Sequence, residues 1–77
     1  MNIKKWYKNG ELWEHCFYKY GGLDGYYKKW YDNGQLNYRG FYKNGVLDGE
    51  YKEWDNSGKL ETHELYKDGN IVKEYPV

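Results

Sequence analysis

The chain has 77 residues, enough for one small domain, and its 12 basic and 12 acidic side chains give a formal net charge of zero. Zero net charge excludes a global field that would attract nucleic acid or an anionic membrane, so only a local concentration of charge could do so. Aromatic residues make up 22% of the sequence, 11 residues are tyrosine, and there is no alanine. This composition favours strands and turns over helices.

The single cysteine and the N-terminal residues bear on the compartment. One cysteine, Cys16, excludes an internal disulfide and is typical of a reducing compartment. The first residues contain no apolar segment of the kind found in signal peptides, and no stretch is long enough to span a bilayer. We therefore expect a cytoplasmic protein without membrane insertion.

The sequence repeats with a period of 24 residues. The period is marked by three tryptophans and three glycines: Trp6, Trp30, Trp54, Gly10, Gly34 and Gly58. It divides a single predicted domain, residues 1–77, into units at about 1–24, 25–48 and 49–75. The third unit departs most from the pattern, as terminal repeats often do.

Each unit is predicted to form a β-hairpin. The Asn-Gly pairs at 9–10 and 33–34 favour two-residue type I′ turns, which need positive φ at both positions, and Ser-Gly at 57–58 is a weaker version. Between units, the glycines of 43–49 indicate a longer connection. The predicted fold is all-β, an antiparallel meander of three 24-residue hairpins in one twisted sheet. It has six strands, or seven if 71–75 also pairs.

The repeated phrase resembles a known family. The stretches "DGEYKEWDNSGKL" and "GLDGYYKKWYDNGQLNYRGFYKNGVLDG" are similar to MORN-type repeats, in the short variant also found in a family of small bacterial antitoxins. The matching features are the Gly-x-Tyr-x-x-Trp/Tyr core, the Asn-Gly turn with its following leucine, and the Tyr-Lys-x-Gly phrase. They cover nearly the whole chain. The resemblance implies a repeat protein that acts in scaffolding or protein contacts and, in some cases, in membrane association.

The hairpin register predicts the cross-strand pairs and therefore which side chains share a face of the sheet. Beside the turns the predicted pairs are Trp6–Trp13, Trp30–Asn37 and Trp54–Glu61, and away from the turns they include Lys4–His15, Lys28–Arg39, Lys52–His63 and Tyr26–Phe41. A tryptophan row near the turns comprises Trp6, Trp13, Trp30 and Trp54. On the same face, a basic or potentially basic residue on every strand forms a second row of Lys4, His15, Lys28, Arg39, Lys52 and His63. These two rows are the candidate partner-binding residues. The opposite face is predicted to carry mainly tyrosine and leucine.

Each row has more than one interpretation. The tryptophans are either a cross-strand packing ladder or, because exposed rings stack on sugars, a carbohydrate-binding surface. The basic side chains either lie over neighbouring rings in solvent, dock an acidic protein surface, or bind a single-stranded nucleic acid. The zero net charge and the single arginine disfavour nucleic acid.

The sequence predicts no catalytic, metal or cofactor site. His15 and Cys16 are adjacent on a strand, so they point to opposite faces and cannot form a catalytic pair. His15 and His63 are separated by four strand spacings, roughly 19 Å, too far to share a metal ion. No phosphate loop, dinucleotide motif or zinc-ligand spacing is present.

These features together predict a non-catalytic module that binds and covers part of another protein. The resemblance to small antitoxins makes a toxin or another effector the expected partner. The small size also suits a phage-type inhibitor of a bacterial defence complex such as a CRISPR nuclease. Because a lone sheet buries little surface and leaves two open edges, we also expect a homodimer or a complex with the partner.

Overall fold

The computed structural model describes residues 1–77 and consists of strands and turns without a helix. The strands are β1 (Asn2–Trp6), β2 (Leu12–Lys19), β3 (Gly22–Trp30), β4 (Leu36–Lys43), β5 (Val46–Leu47), β6 (Gly49–Trp54), β7 (Leu60–Lys67) and β8 (Asn70–Glu74). All belong to one antiparallel sheet of order β1-β2-β3-β4-β6-β7-β8, with β5 also paired to β4. The predicted all-β meander is confirmed, and β8 is the seventh strand that was expected if 71–75 also pairs.

The sheet is a single layer with very little core. Its Cα atoms extend over 37 × 35 × 9 Å, and 3 of the 77 residues are buried. They are Glu14, Cys16 and Gly40. All three lie around Tyr27: Cys16 and Gly40 are its cross-strand partners, and Glu14 accepts a hydrogen bond from its hydroxyl. We call this side of the sheet the tyrosine face, and it holds what core there is.

The turn inside each repeat is wider than predicted. In the second repeat, the Gly34 amide donates to the Tyr31 carbonyl at 3.0 Å, and the Tyr31 amide donates to the Gln35 carbonyl at 2.8 Å. Of the Asn-Gly pair, only the glycine has a positive φ, at 87°. The turn is therefore not type I′, and the register shifts between Lys29 and Trp30 as a β-bulge. Residues 7–11 and 55–59 make the same pair of bonds.

The bulge changes the pairing next to every such turn. A leucine stands opposite each of the three tryptophans, in the pairs Trp6–Leu12, Trp30–Leu36 and Trp54–Leu60. The predicted partners were Trp13, Asn37 and Glu61. The predicted pairs at these three positions were wrong because the bulge inserts one extra residue into the returning strand. Away from the turns the predicted register is confirmed, as in Lys28 opposite Arg39 and Tyr26 opposite Phe41.

The two-residue turns lie between the repeats instead. Asn44 and Gly45 have φ values of 53° and 84°, and Lys43 pairs directly with Val46 across them. The segments 20–21 and 68–69 have the same conformation. Positive φ at both positions is the type I′ geometry, so the predicted longer connection was wrong.

Tyr20 occupies the first position of one of these tight turns at a conformational cost. Its φ is 52°, and its side chain is 97% exposed, so little packing compensates for the left-handed backbone. We expect Tyr20→Asn to raise the free energy of unfolding by about 0.5–1 kcal/mol, because asparagine adopts this conformation more readily. Urea denaturation measures the effect. Asn44→Tyr, at the equivalent position, should lower stability by a similar amount, and no change in either variant would contradict the turn geometry.

Candidate functional site

Six basic side chains form a continuous row across one side of the sheet, which we call the basic face. The basic row is Lys4, His15, Lys28, Arg39, Lys52 and His63. Each residue stands directly opposite the next one in the pairing of neighbouring strands. The row crosses β1, β2, β3, β4, β6 and β7, as the register away from the turns predicted.

Aromatic rings lie beside the basic row. Three of them are more than a third exposed: Trp6 at 58%, Tyr26 at 47% and Phe17 at 37%. The Lys28 ammonium and the Arg39 guanidinium lie 5.3 Å and 5.9 Å from the centroid of the Tyr26 ring. Such cation–π contacts hold the two charges in place on the face without neutralising them.

The tryptophans do not form a packing ladder. None of the ring contacts joins two tryptophans. Trp13 lies 6.2 Å from the Tyr7 ring and 5.4 Å from the Lys5 ammonium, which is ion-paired with Glu14 on the tyrosine face. The prediction that Trp13 belongs to the row was wrong, because the bulge makes Trp13 the extra residue opposite Trp6. Trp6, Trp30 and Trp54 keep equivalent places at the edge of the basic face.

The third-repeat histidine of the basic row is fully engaged within the chain. His63 Nε2 lies 2.7 Å from Glu50 Oε2, and its ring stacks on Tyr75 with a centroid separation of 4.1 Å and an interplanar angle of 20°. The hydrogen bond from His63 is the largest cause that lowers the pKa of Glu50. This end of the row therefore already holds a carboxylate and an aromatic ring.

The first-repeat histidine has no such partner. His15 packs on the Phe17 ring at 4.8 Å, and its Nε2 atom is buried without a hydrogen bond. Burial, together with the nearby charges of Lys4 and Lys28, lowers the pKa of His15. Two equivalent positions of the repeat thus differ sharply in how their imidazoles are satisfied.

The tyrosine face is closed by its own side chains. Its contacting rings, with centroids 5.5–6.0 Å apart, are Tyr27, Tyr38, Tyr42, Tyr51 and Tyr66. Three of the hydroxyls donate to carboxylates, Tyr27 to Glu14 at 2.6 Å, Tyr66 to Glu64 at 3.0 Å, and Tyr51 to Glu53. Lys5 and Lys29 lie 3.5 Å and 3.9 Å from the Glu14 carboxylate. The polar groups of this face are therefore largely paired with each other.

A set of bonds at the wide turns joins successive repeats, and the sequence reasoning missed it. The Tyr7 and Tyr31 hydroxyls each donate at 2.7 Å to a backbone carbonyl of the next repeat, those of Trp30 and Trp54. The side-chain amides at positions 9 and 33 reach the next repeat in the same way. The recurrence of Tyr and Asn at a spacing of 24 was the available signal. These bonds hold the tryptophan ends of the hairpins side by side.

The structure gives no support for metal chemistry at these residues. No group of three or more His, Cys, Asp and Glu side chains is placed to hold a metal ion. Cys16 is 1% exposed on the tyrosine face, whereas the adjacent His15 belongs to the basic row. No element of the structure is a helix long and apolar enough to cross a membrane.

The comparisons with known proteins identify the repeat. Curated proteins and solved structures give no significant match. The sequence matches the MORN repeat variant at residues 2–20, 23–44 and 47–68. Repeats of this kind occur in modules that bind proteins or associate with membranes, and the family is generally non-catalytic. With three consecutive matches that follow the three hairpins, the chain belongs to the MORN repeat variant family.

Proposed function

We propose that the protein is a non-catalytic binding module that covers an acidic surface of another protein with its basic face. The observation that carries this proposal is the unbroken basic row, six residues in register across six strands. Complementary charge speeds association and sets orientation, while aromatic anchors supply much of the binding energy. The exposed rings of Trp6, Phe17 and Tyr26 lie where such anchors are needed.

The contrast between the two faces supports the choice of the basic face. The buried residues and the paired hydroxyls and carboxylates belong to the tyrosine face. On the basic face, by contrast, the charges at Lys4, Lys28 and Lys52 have no acidic partner within 4.0 Å. A sheet of 37 × 35 Å is large enough for the ~800 Å² that each partner buries in a standard interface.

A protein partner fits better than a nucleic acid. The chain has no net charge and a single arginine, whereas affinity for nucleic acid depends mainly on neutralising many phosphates with lysine and arginine. We propose a toxin, another effector or a defence nuclease in the cytoplasm as the partner, inhibited by occlusion of its surface. The aromatic rings beside the row also suit stacking on bases or sugars, so these ligands are outcomes of the test below.

To test the proposal, the protein is immobilised and exposed to a lysate of the native host. Each protein that it retains is then purified, and its affinity for the wild-type chain and for two variants is measured. The test variant replaces Lys28, Arg39 and Lys52 with serine. The matched control replaces three exposed lysines outside the row, Lys8, Lys43 and Lys59, with serine and has the same net charge. We expect the test variant to lose about tenfold or more in affinity, with the control near wild type and wild-type binding weakened by salt.

Circular dichroism establishes that both variants fold. Equal affinity of the two folded variants for the partner would overturn the proposal. Tighter binding of wild type to single-stranded RNA or to an oligosaccharide than to any retained protein would also overturn it.

A further inference from the structure

The two halves of the basic row differ in whether their histidine already contacts a carboxylate of the same chain. In the third repeat, His63 has Glu50 at 2.7 Å and the Tyr75 ring stacked at 4.1 Å. In the first repeat, His15 Nε2 has no partner, and neither Lys4 nor Lys28 beside it forms an ion pair. The N-terminal half is therefore positive and unsatisfied, while the C-terminal half is partly neutralised.

The sequence explains this asymmetry. The position of Glu50 in the third repeat corresponds to Tyr26 in the second and to Asn2 in the first. Asn2 stands opposite Phe17, as Glu50 stands opposite Leu65. An equivalent histidine therefore lacks the carboxylate that its counterpart has, and the His63–Glu50 pair shows how a carboxylate can be seated on this face.

A second observation points to the same half of the row. The three rings of the basic face that are most exposed, Trp6, Phe17 and Tyr26, lie on β1, β2 and β3. These are the strands that carry Lys4, His15 and Lys28. Free positive charge and exposed aromatic surface thus coincide around His15.

We propose that Lys4, His15 and Lys28 form a binding site for a carboxylate side chain of an acidic protein segment, which takes at His15 the place that Glu50 takes at His63. This inference rests on the proposed function and names the end of the row that the partner contacts. Because His15 Nε2 is out of contact with solvent in the free chain, the side chains that cover it must move aside as the carboxylate enters. The imidazole then gains the hydrogen bond that the free chain lacks.

The site implies a pH dependence with a defined sign. In the free chain the pKa of His15 is lowered by burial and by the positive charges that face it, Lys4 from β1 and Lys28 from β3. A bound carboxylate favours the protonated imidazole and raises this pKa. Binding therefore takes up a proton and becomes tighter as the pH falls toward the pKa of histidine.

The experiment is an NMR titration of the full chain with a synthetic octaglutamate peptide, in which the signals of the two histidine rings are followed. The His63→Asn variant assigns these signals, because the histidine signals that remain in it belong to His15. We expect saturable shifts of the His15 ring and of the Lys4 and Lys28 amides, with the His63 ring nearly unchanged. The affinity for the peptide should rise about threefold or more as the pH falls from about 7.5 to about 6. Lys4→Ser with Lys28→Ser should abolish the shifts, while Lys52→Ser, a single charge removed at the other end, should leave them.

Several outcomes would overturn the carboxylate site. These are shifts of equal size at His63, no saturable shift at His15 up to about 10 mM peptide, or tighter binding of oligouridylate at the same residues. If the peptide fails to select His15 while the triple row variant still loses its partner, the site is wrong and the proposed function stands. If the peptide binds at His15 but the row variant keeps its partner, the proposed function is wrong.

Discussion

Gly49→Ala is expected to lower the free energy of unfolding by about 2–3 kcal/mol, a large part of the stability of a small domain. The φ of Gly49 is 132°, a conformation that residues with a side chain rarely adopt. An added Cβ would also lie 3.3 Å from the Cβ of Phe41 on the neighbouring strand. Gly49 begins β6 at the point where the chain departs from β5, so strain there would disturb the pairing of both with β4.

Gly45→Ala is the matched control for this effect. Gly45 also has a positive φ, 84°, but nothing lies within 4 Å of its added Cβ. Its replacement should cost about 1 kcal/mol, the backbone strain alone. Urea denaturation followed by tryptophan fluorescence gives both values. Equal losses in the two variants, or wild-type stability of Gly49→Ala, would contradict the left-handed backbone of Gly49 and its close approach to Phe41.

Alkaline pH is expected to unfold the protein cooperatively from about pH 10 upward. On the tyrosine face, burial is the largest cause that raises the pKa of Tyr38 to about 12. Burial, followed by the hydrogen bonds to Glu14 and Glu53, also raises the pKa of Tyr27 and Tyr51. The folded chain thus holds these protons more tightly than the unfolded chain. Their contribution to stability is complete below about pH 10 and is lost as the pH rises through the folded values.

Absorbance of tyrosinate and circular dichroism, recorded together during a pH titration, measure this transition. We expect delayed ionisation of a subset of tyrosines that coincides with the loss of strand signal. Tyr38→Phe should move the transition to higher pH, whereas Tyr20→Phe, at a position that is 97% exposed, should leave it unchanged. Ionisation of all tyrosines in one step near pH 10, with the strand signal retained, would be incompatible with the closed tyrosine face.

The sequence predicted the middle of the sheet better than its turns. Along the strands, side chains alternate strictly between faces, so pairs such as Lys4–His15 and Lys52–His63 follow once the repeat is recognised. The Asn-Gly pairs were misread because their local chemistry allows two turn types. The side chains of Asn9 and Asn33 accept hydrogen bonds from the Glu11 and Gln35 amides, each at 2.9 Å. These bonds favour the wider turn, and the resulting bulge carries Trp13 away from the basic face.

The sequence contains the residues that cause the asymmetry of the basic row, but it does not show which of them contact each other. The asymmetry depends on the diagonal contact of His63 with Glu50 and on the position of Tyr75. After the tight turns of the first two repeats, the strand that contains the Asp-Gly pair 24–25 or 48–49 has two more residues than its partner strand. The third repeat lacks this pair, and β8 has one extra residue instead. The Tyr75 amide donates to the His63 carbonyl at 2.8 Å. An alignment of the repeats shows that the Asp-Gly pair is missing from the third repeat. It does not show that Tyr75 then stacks on His63.

The proposal that a partner protein binds the basic face is tested most directly by lysine footprinting of the complex, with mass spectrometry resolving each lysine. Lys28 and Lys52 lie on the basic face, whereas Lys5 and Lys29 lie beside Glu14 on the tyrosine face. Binding through the basic face predicts that Lys28 and Lys52 lose reactivity in the complex while Lys5 and Lys29 react as in the free chain. Protection of Lys5 and Lys29, with Lys28 and Lys52 unchanged, would contradict it.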